Sequence, residues 1–326
     1  TLAIYTTWVT RSDLAGAAQI ALSMLFIIVF LLHFEKRARQ RQRYSLVQRM
    51  RPMTPTVLKG RHIALAWVLG VIPIAFGFLL PAGYLVVQVF KRMGQQTGFS
   101  TSLIQASFNT LTIASVATVL TVTLGLIVAW AARRVRDSAN EQSLGKLFSR
   151  LASLGYAVPG TVLAIGLLGP LLLIDQGIEW VLGLAQYKVT TLIVLGSTAG
   201  LLMAYVIRFL AIANGSIEAG LARIPPSIEQ ASRLLGESSS RTLWRVHIPL
   251  LKPAMISAAL LVFVDTMKEL PATLMLRPIN FETLATLLYG EASRGMYEEG
   301  AVAALMIVLL GLLPVILLAR AQQRSV

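Results

Sequence analysis

Apolar residues in this chain run in long blocks, separated by shorter polar stretches that hold most of the charge. Blocks of about 19 or more mostly apolar residues are long enough, as helices, to cross a hydrocarbon core of ~30 Å. Seven such blocks are read over residues 14–34, 63–90, 104–131, 151–174, 189–213, 253–276 and 300–319. Pro73, Pro81, Pro159, Pro170, Pro271 and Pro314 fall inside them. Spanning helices tolerate such breaks where neighbours or water re-satisfy the freed backbone groups. The pattern therefore predicts an all-α polytopic membrane protein.

The longest polar interruption after the basic loop near the start lies between Asn214 and Pro253. Pro225-Pro226-Ser227 stops one segment, and Ser227 is the expected N-cap of the next. Ile228, Ala231, Leu234 and Leu235 then fall at helical spacing, predicting a short amphipathic helix that ends at Gly236. A polar turn with Arg241 and Arg245 leads to Ile248-Pro249 and Pro253, where apolar sequence resumes.

This stretch resembles the cytoplasmic loop of type I ABC importer permeases. Their pattern is Glu-Ala-Ala, three residues, Gly, and a hydrophobe-Pro pair ending thirteen residues after that Gly. Gln230-Ala231-Ser232 stands at the Glu-Ala-Ala positions, Gly236 at the glycine and Ile248-Pro249 at the closing pair. The leading carboxylate is replaced by Gln230, with Glu229 one residue earlier. The resemblance implies an ATPase-coupling role for Glu229, Gln230, Ala231, Ser232, Gly236, Ile248 and Pro249, within a coupling loop over 214–252.

Composition supports the membrane reading: 56% of the residues are hydrophobic, 13% are charged, and the mean hydropathy is +0.70. The net charge of +14 would suggest nucleic acid in a soluble protein. Here the loops 35–62, 132–150, 208–252 and 320–326 hold 22 of the 29 Lys and Arg residues, against 6 in the segments on the other side. Basic loops face the cytoplasm. The excess charge is thus explained by topology, and no nucleic-acid partner is expected. The cluster Glu35–Arg43 is expected to meet anionic lipid headgroups. Cysteine is absent, and His33, His62 and His247 form no metal-ligand spacing, so no metal site is expected.

Thr1-Leu2-Ala3 recurs as Thr283-Leu284-Ala285, and in each case an apolar span with a basic end follows. This suggests that residues 1–43 close a first permease repeat, 44–62 form a cytoplasmic linker, and 63–326 form a six-helix second repeat. Asn109-Thr110 and Val158-Pro159-Gly160-Thr161 also look like the same permeases. The run Met267-Lys268-Glu269-Leu270-Pro271-Ala272-Thr273-Leu274-Met275-Leu276-Arg277-Pro278, followed by Asn280–Ala285, is similar to the second half of fused two-repeat ferric-iron importer permeases.

Asp265 and Glu269 stand out as carboxylates inside an apolar span. A continuous helix over 253–276 rises about 36 Å, placing Asp265 near mid-depth with Glu269 one turn on and on the same face. Intramembrane charges normally face an interior or an aqueous path. Asp265, Lys268, Glu269 and Thr273 are therefore the candidate translocation path, with Asp265 and Glu269 placed for transient contact with substrate iron. The alternative is a structural pair of Lys268 with Asp265. Arg208 is read as snorkelling to the cytoplasmic interface, and Glu291, Glu298 and Glu299 as an acidic outer segment that either meets a binding protein or is simply solvated.

Nothing in the chain reads as a phosphate-binding loop, an HExxH helix or a Ser-His pair, so a non-enzymatic permease without a bound cofactor is expected. The family resemblance implies partners: two cytoplasmic ABC ATPase subunits using ATP and Mg, a periplasmic substrate-binding protein, and a first permease repeat on the same polypeptide. It also implies the bacterial inner membrane, alternating access, and ferric iron as substrate. Thiamine, polyamine or phosphonate importer permeases, and an ATP-independent channel or secondary transporter, are the alternatives.

Overall fold

A computed structural model describes residues 2–39, 59–95, 98, 100–136, 142–184 and 192–323. Most of the expected linker over 44–62, and the end of the basic cluster before it, lie outside the described residues. All regular structure among the described residues is helical. Helix α1 (Leu2–Tyr5) passes through a π-helical turn (Thr6–Thr10) towards α2 (Leu14–Arg39). A long apolar rod follows, α3 (Arg61–Ile74) joined by the π-turn Ala75–Leu79 to α4 (Leu80–Gln95), and then α5 (Thr101–Arg136). The chain continues through α6 (Gln142–Leu154), α7 (Gly160–Leu184) and α8 (Thr198–Ala222). Two short helices, α9 (Pro226–Leu234) and α10 (Ser239–Thr242), lead through a π-turn at Leu243–His247 into α11 (Ile248–Met267). The last elements are α12 (Pro271–Leu276), α13 (Leu284–Ser293) and α14 (Tyr297–Gln323).

Seven segments of the described chain are long and apolar enough to cross a membrane, matching the expected number. Three are displaced along the chain from where hydropathy put them. The fourth is Gly160–Leu184, the fifth Thr198–Ala222, and the sixth Ser239–Met267. The fourth starts late because the chain breaks ahead of Pro159. At Gly155 it crosses α8 so closely that an added Cβ would stand 1.9 Å from the Ile207 carbonyl oxygen. Residues 142–154 instead form the separate amphipathic helix α6, which Ser149 ties to Glu218 of α8 at 2.5 Å. The fifth starts late because Ser197 caps α8, accepting from the Ala199 and Gly200 amides. The expected continuous helix over 253–276 is not one helix: α11 ends at Met267, and α12 begins afresh with Pro271 in its first turn. A proline ring there cannot donate and blocks the preceding turn.

Helix α8 is the centre of the bundle, packed against α5, α11, α6, α7 and α12. Small residues allow these approaches. A Cβ on Gly125 of α5 would lie 2.9 Å from the Ala213 Cβ and 3.1 Å from the Asn214 amide nitrogen; on Gly220 it would lie 2.8 Å from the Ala254 Cβ. In a bilayer, where lipid tails are as apolar as leucine, such van der Waals fit replaces the hydrophobic drive between helices. The α3–α4 rod has none of its most apolar stretch buried and packs on α14, leaving an apolar outer surface suited to lipid.

At the opposite end from α9, two of the quoted sequence motifs meet. The Asn109 side-chain amide donates to the Glu282 carbonyl at 2.9 Å, and the Leu284 amide donates to the Thr110 hydroxyl at 2.8 Å. Arg277 pairs with Glu282 and donates to the Phe281 carbonyl at 3.0 Å, closing the turn through Asn280, whose φ is 62°. A capping box between Thr283 and Thr286 then starts α13. Arg92 and Glu299, 2.6 Å apart, fasten α4 to the start of α14.

Replacing Gly125 or Gly220 by leucine is expected to overpack the α5–α8–α11 contact and to cost about 1–3 kcal/mol. The check is the thermal midpoint of the detergent-solubilised protein, with Gly177, which has open space around it, as the tolerant control.

Candidate coupling loop and buried charge cluster

The expected 214–252 loop is shorter in the structure: residues 214–222 continue α8 and 248–252 open α11, and 223–247 fold as a helix-turn element held on the ends of α5 and α8. Helix α9 does not start as expected: its N-cap is Pro225, with Pro226 in the first turn, and Ser227 lies inside. Proline suits that place because its fixed φ is helical and its missing N–H would be unbonded there anyway. The end of α9 is as expected. Gly236 has φ +79°, its amide donates to Arg233, and the Glu237 amide donates to Ser232 at 3.1 Å, the paired bonds of a left-handed helix stop. Nothing lies within 4 Å of a Cβ at Gly236, so backbone conformation rather than space within this chain demands glycine.

Helix α9 carries its polarity inside out. Its inward side presents Glu229 and Ser232; Ser232 is buried and bonds to Thr242 at 2.8 Å. Glu229 Oε1 lies 2.5 Å from Arg133 Nε and 3.0 Å from His247 Nε2. Gln230 and Ala231 are exposed, and so are Ile228, Leu234 and Leu235, the last two more than 80%. Arg133, at the end of α5, also donates to the Leu221 carbonyl and, at 2.9 Å, to that of Ile224. It thus satisfies carbonyls freed where α8 stops while gripping α9. In the sequence it is one of five basic residues in a loop, and nothing marks it. Ile248 and Pro249 begin α11; the π-turn Leu243–His247 widens the ladder just ahead of the proline that cannot donate to it.

The second cluster lies near the middle of α8. Arg208 does not snorkel to an interface. Its side chain turns inward, with Nε 3.0 Å from Glu269 Oε2 and Nη1 donating to the Val158 carbonyl at 3.0 Å. Glu269 Oε1 accepts the Ala272 amide at 3.1 Å, at the start of α12. Gly160 leaves room for this arrangement: a Cβ there would stand 2.5 Å from Glu269 Oε1. Thr273 is fully buried, bonding to the Tyr205 hydroxyl at 2.6 Å and to the Glu269 carbonyl at 2.5 Å. Asp265 pairs with Lys268 at 2.8 Å, and the Lys268 side chain is 61% exposed. Because the helix stops at Met267, Asp265 and Glu269 do not share one helix: Glu269 is turned into the bundle, Lys268 is exposed, and Asp265 beside it is partly buried.

Another buried carboxylate went unforeseen. Asp175 of α7 accepts the Ile193 and Val194 amides at 2.9 and 2.7 Å on one oxygen, and the Leu195 amide at 2.9 Å on the other. Hydropathy ends the fourth span one residue before it, so it reads as an outer-loop residue.

Residues 121–326 match the family described as binding-protein-dependent transport system inner membrane component. The chain belongs to that family. The permease is 30% identical over 224 residues to the Fe(3+)-transport system permease protein FbpB 2 of Haemophilus influenzae, a match covering 69% of this chain and 40% of that protein. It is 29% identical over 200 residues to the putative 2-aminoethylphosphonate transport system permease protein PhnV of Salmonella paratyphi A, covering 60% and 67%. The permease thus spans 40% of one FbpB protein and 26% of another, the ferric transport system permease of Actinobacillus pleuropneumoniae. Its fold matches a chain of the bacterial alginate ABC transporter solved with an alginate pentasaccharide-bound periplasmic protein. The TM-score is 0.57 at 14% identity, covering 81% of this chain and 97% of that one. The permease is therefore an all-α, multi-pass inner-membrane component with the ABC importer permease fold.

Replacing Asp175 with Asn leaves one side-chain oxygen to accept where two now take three amides. The expected loss is about 1–3 kcal/mol. It should appear as faster amide exchange at 193–195 and a lower thermal midpoint.

Proposed function

We propose that this permease forms the membrane path of an ATP-driven importer and docks an ATPase subunit through α9. The observation that carries the reading is the exposed apolar side of α9, Ile228, Leu234 and Leu235, on a helix whose polar side is clamped by Arg133 and His247. A short helix in water would turn those leucines inward. Held outward on a rigid mount, they form an apolar anchor for a partner surface. The partners in this reading are two cytoplasmic ABC ATPase subunits using ATP and Mg, a periplasmic binding protein, and a first permease repeat on the same polypeptide. The side carrying α9 is cytoplasmic, in keeping with the placement of 22 of 29 basic residues.

Ferric iron is the proposed substrate, supported by the FbpB relatives and by the Met267–Pro278 run. Asp265, Lys268, Glu269 and Thr273 are the proposed path segment, with Lys268 exposed, Asp265 partly buried beside it, and Glu269 and Thr273 buried in the bundle as their support. Alternating access follows if nucleotide favours one of two arrangements of the ATPase pair, and α9 transmits the difference.

Two variants test the docking role. Leu234→Asp with Leu235→Asp is expected to abolish co-purification of the ATPase subunit while leaving the permease folded. Gly236→Val forces a branched residue into a left-handed backbone, a strain of about 1–2 kcal/mol, and is expected to weaken docking and uptake. Wild-type co-purification in the double aspartate variant would count against α9 as the dock. Uptake of radiolabelled ferric iron, competed by 2-aminoethylphosphonate or spermidine, decides the substrate.

A further inference from the structure

Two interruptions of the helical chain face one unbroken helix. The chain leaves helical conformation between α6 and α7, ahead of Pro159, and again between α11 and α12, at Lys268–Leu270. Helix α8 runs past both without interruption and carries Arg208 near its middle. One guanidinium reaches both breaks. Nη1 donates to the Val158 carbonyl, which Pro159 follows, and Nε lies against Glu269, the carboxylate that accepts the Ala272 amide of α12. The Arg208 and Glu269 side chains are 17% and 6% exposed. The neighbouring residue Lys268 is 61% exposed. The inward Arg208–Glu269 pair and the exposed Lys268, paired with a partly buried Asp265, thus flank the same interruption.

We propose that Arg208 and Glu269 are a positioning pair that fastens both helix breaks to α8 and so sets how Lys268 is presented to the translocation path; this rests on the importer reading above. Breaks are where a packed bundle can change backbone angles without repacking its core. An arginine fork holds two acceptors at a fixed mutual angle, which a lysine point charge cannot do. Helix α8 ends two residues before the Ile224 carbonyl that Arg133 grips, and α9 starts at Pro226. A displacement of α9 therefore reaches both breaks along one rigid helix. A merely structural ion pair can be exchanged for apolar residues of similar volume with little loss. A positioning pair cannot, because the Val158 carbonyl and the start of α12 would no longer be tied to a common point.

The chain has no cysteine, so Lys268→Cys places a single thiol at the break. In membrane vesicles holding the full transporter, its rate of modification by a charged, water-borne thiol reagent reports presentation; the thermal midpoint of the same protein reports stability. Glu269→Gln on this parent is expected to lower the midpoint and shift the rate. Arg208→Met with Glu269→Leu removes both charges but leaves the Val158 carbonyl and the Ala272 amide unpaired, so it is expected to regain part of the midpoint while the rate stays displaced by roughly two- to thirty-fold, the span of typical coupling effects. Arg208→Lys, which keeps the charge but not the fork, is expected to fold and also to show a displaced rate, and it decides the matter if the apolar pair does not fold. A parental rate in either of these folded variants overturns the proposal, as does a parent whose introduced thiol does not react. A displaced rate in a transporter that carries no ATPase subunit supports the positioning role and overturns the importer reading; a parental rate with the ATPase bound overturns the positioning role alone.

Discussion

The bilayer supplies no hydrogen-bond partner, so wherever a membrane helix stops short, the protein must itself satisfy the backbone groups that are freed. Each buried group left unpaired costs several kcal/mol. The buried charges of this permease stand where that cost would fall. Arg208 takes the Val158 carbonyl at one break, Glu269 takes the Ala272 amide at another, and Asp175 takes three amides ahead of α8. Arg133 does the same for the carbonyls at the far end of α8. These side chains are therefore explained by interrupted helices before any role in transport is invoked. Removing one member of a buried pair such as Arg208–Glu269 costs on the order of 3–5 kcal/mol, chiefly because the other is left charged and alone.

The same logic shapes the coupling loop. The family pattern places a carboxylate where this chain has Gln230, and the carboxylate sits one residue earlier. One residue is about 100° of helical rotation. Here that turns Glu229 towards Arg133 and His247, and Gln230 outward. The anchor in this chain is Glu229, one residue before the position where the family pattern has its carboxylate. The helix is held by its polar face, leaving Leu234 and Leu235 exposed.

The quoted motifs also account for one another. Val158-Pro159-Gly160 supplies the carbonyl, the break and the space that Arg208 and Glu269 use. Asn109-Thr110 holds the turn that follows Arg277-Pro278. Residues far apart in the chain are thus parts of two contacts, one in the middle of the bundle and one at the end opposite α9.

Hydropathy by itself determined the fold class and the number of spanning segments, because burial in lipid imposes a length of apolar sequence that no soluble helix needs. Local chemistry equally determined the stop at Gly236, since left-handed backbone is a property of single residues, whereas the helix restarts at Ser239, ahead of Ile248-Pro249, with Ser238 as its cap. Where the fourth, fifth and sixth spans begin was not legible. Hydropathy averages over a window, whereas the starts at Gly160 and Thr198 are set by a backbone crossing at Ile207 and by Ser197 as a cap. The partner of each charge was not legible either. Asp265 and Lys268 are local neighbours, and their pairing could be weighed from spacing alone, but Glu269 finds Arg208 sixty-one residues away. That choice belongs to the tertiary structure, because only the packing of α12 and α7 against α8 brings a carboxylate, a guanidinium and a freed carbonyl to one point.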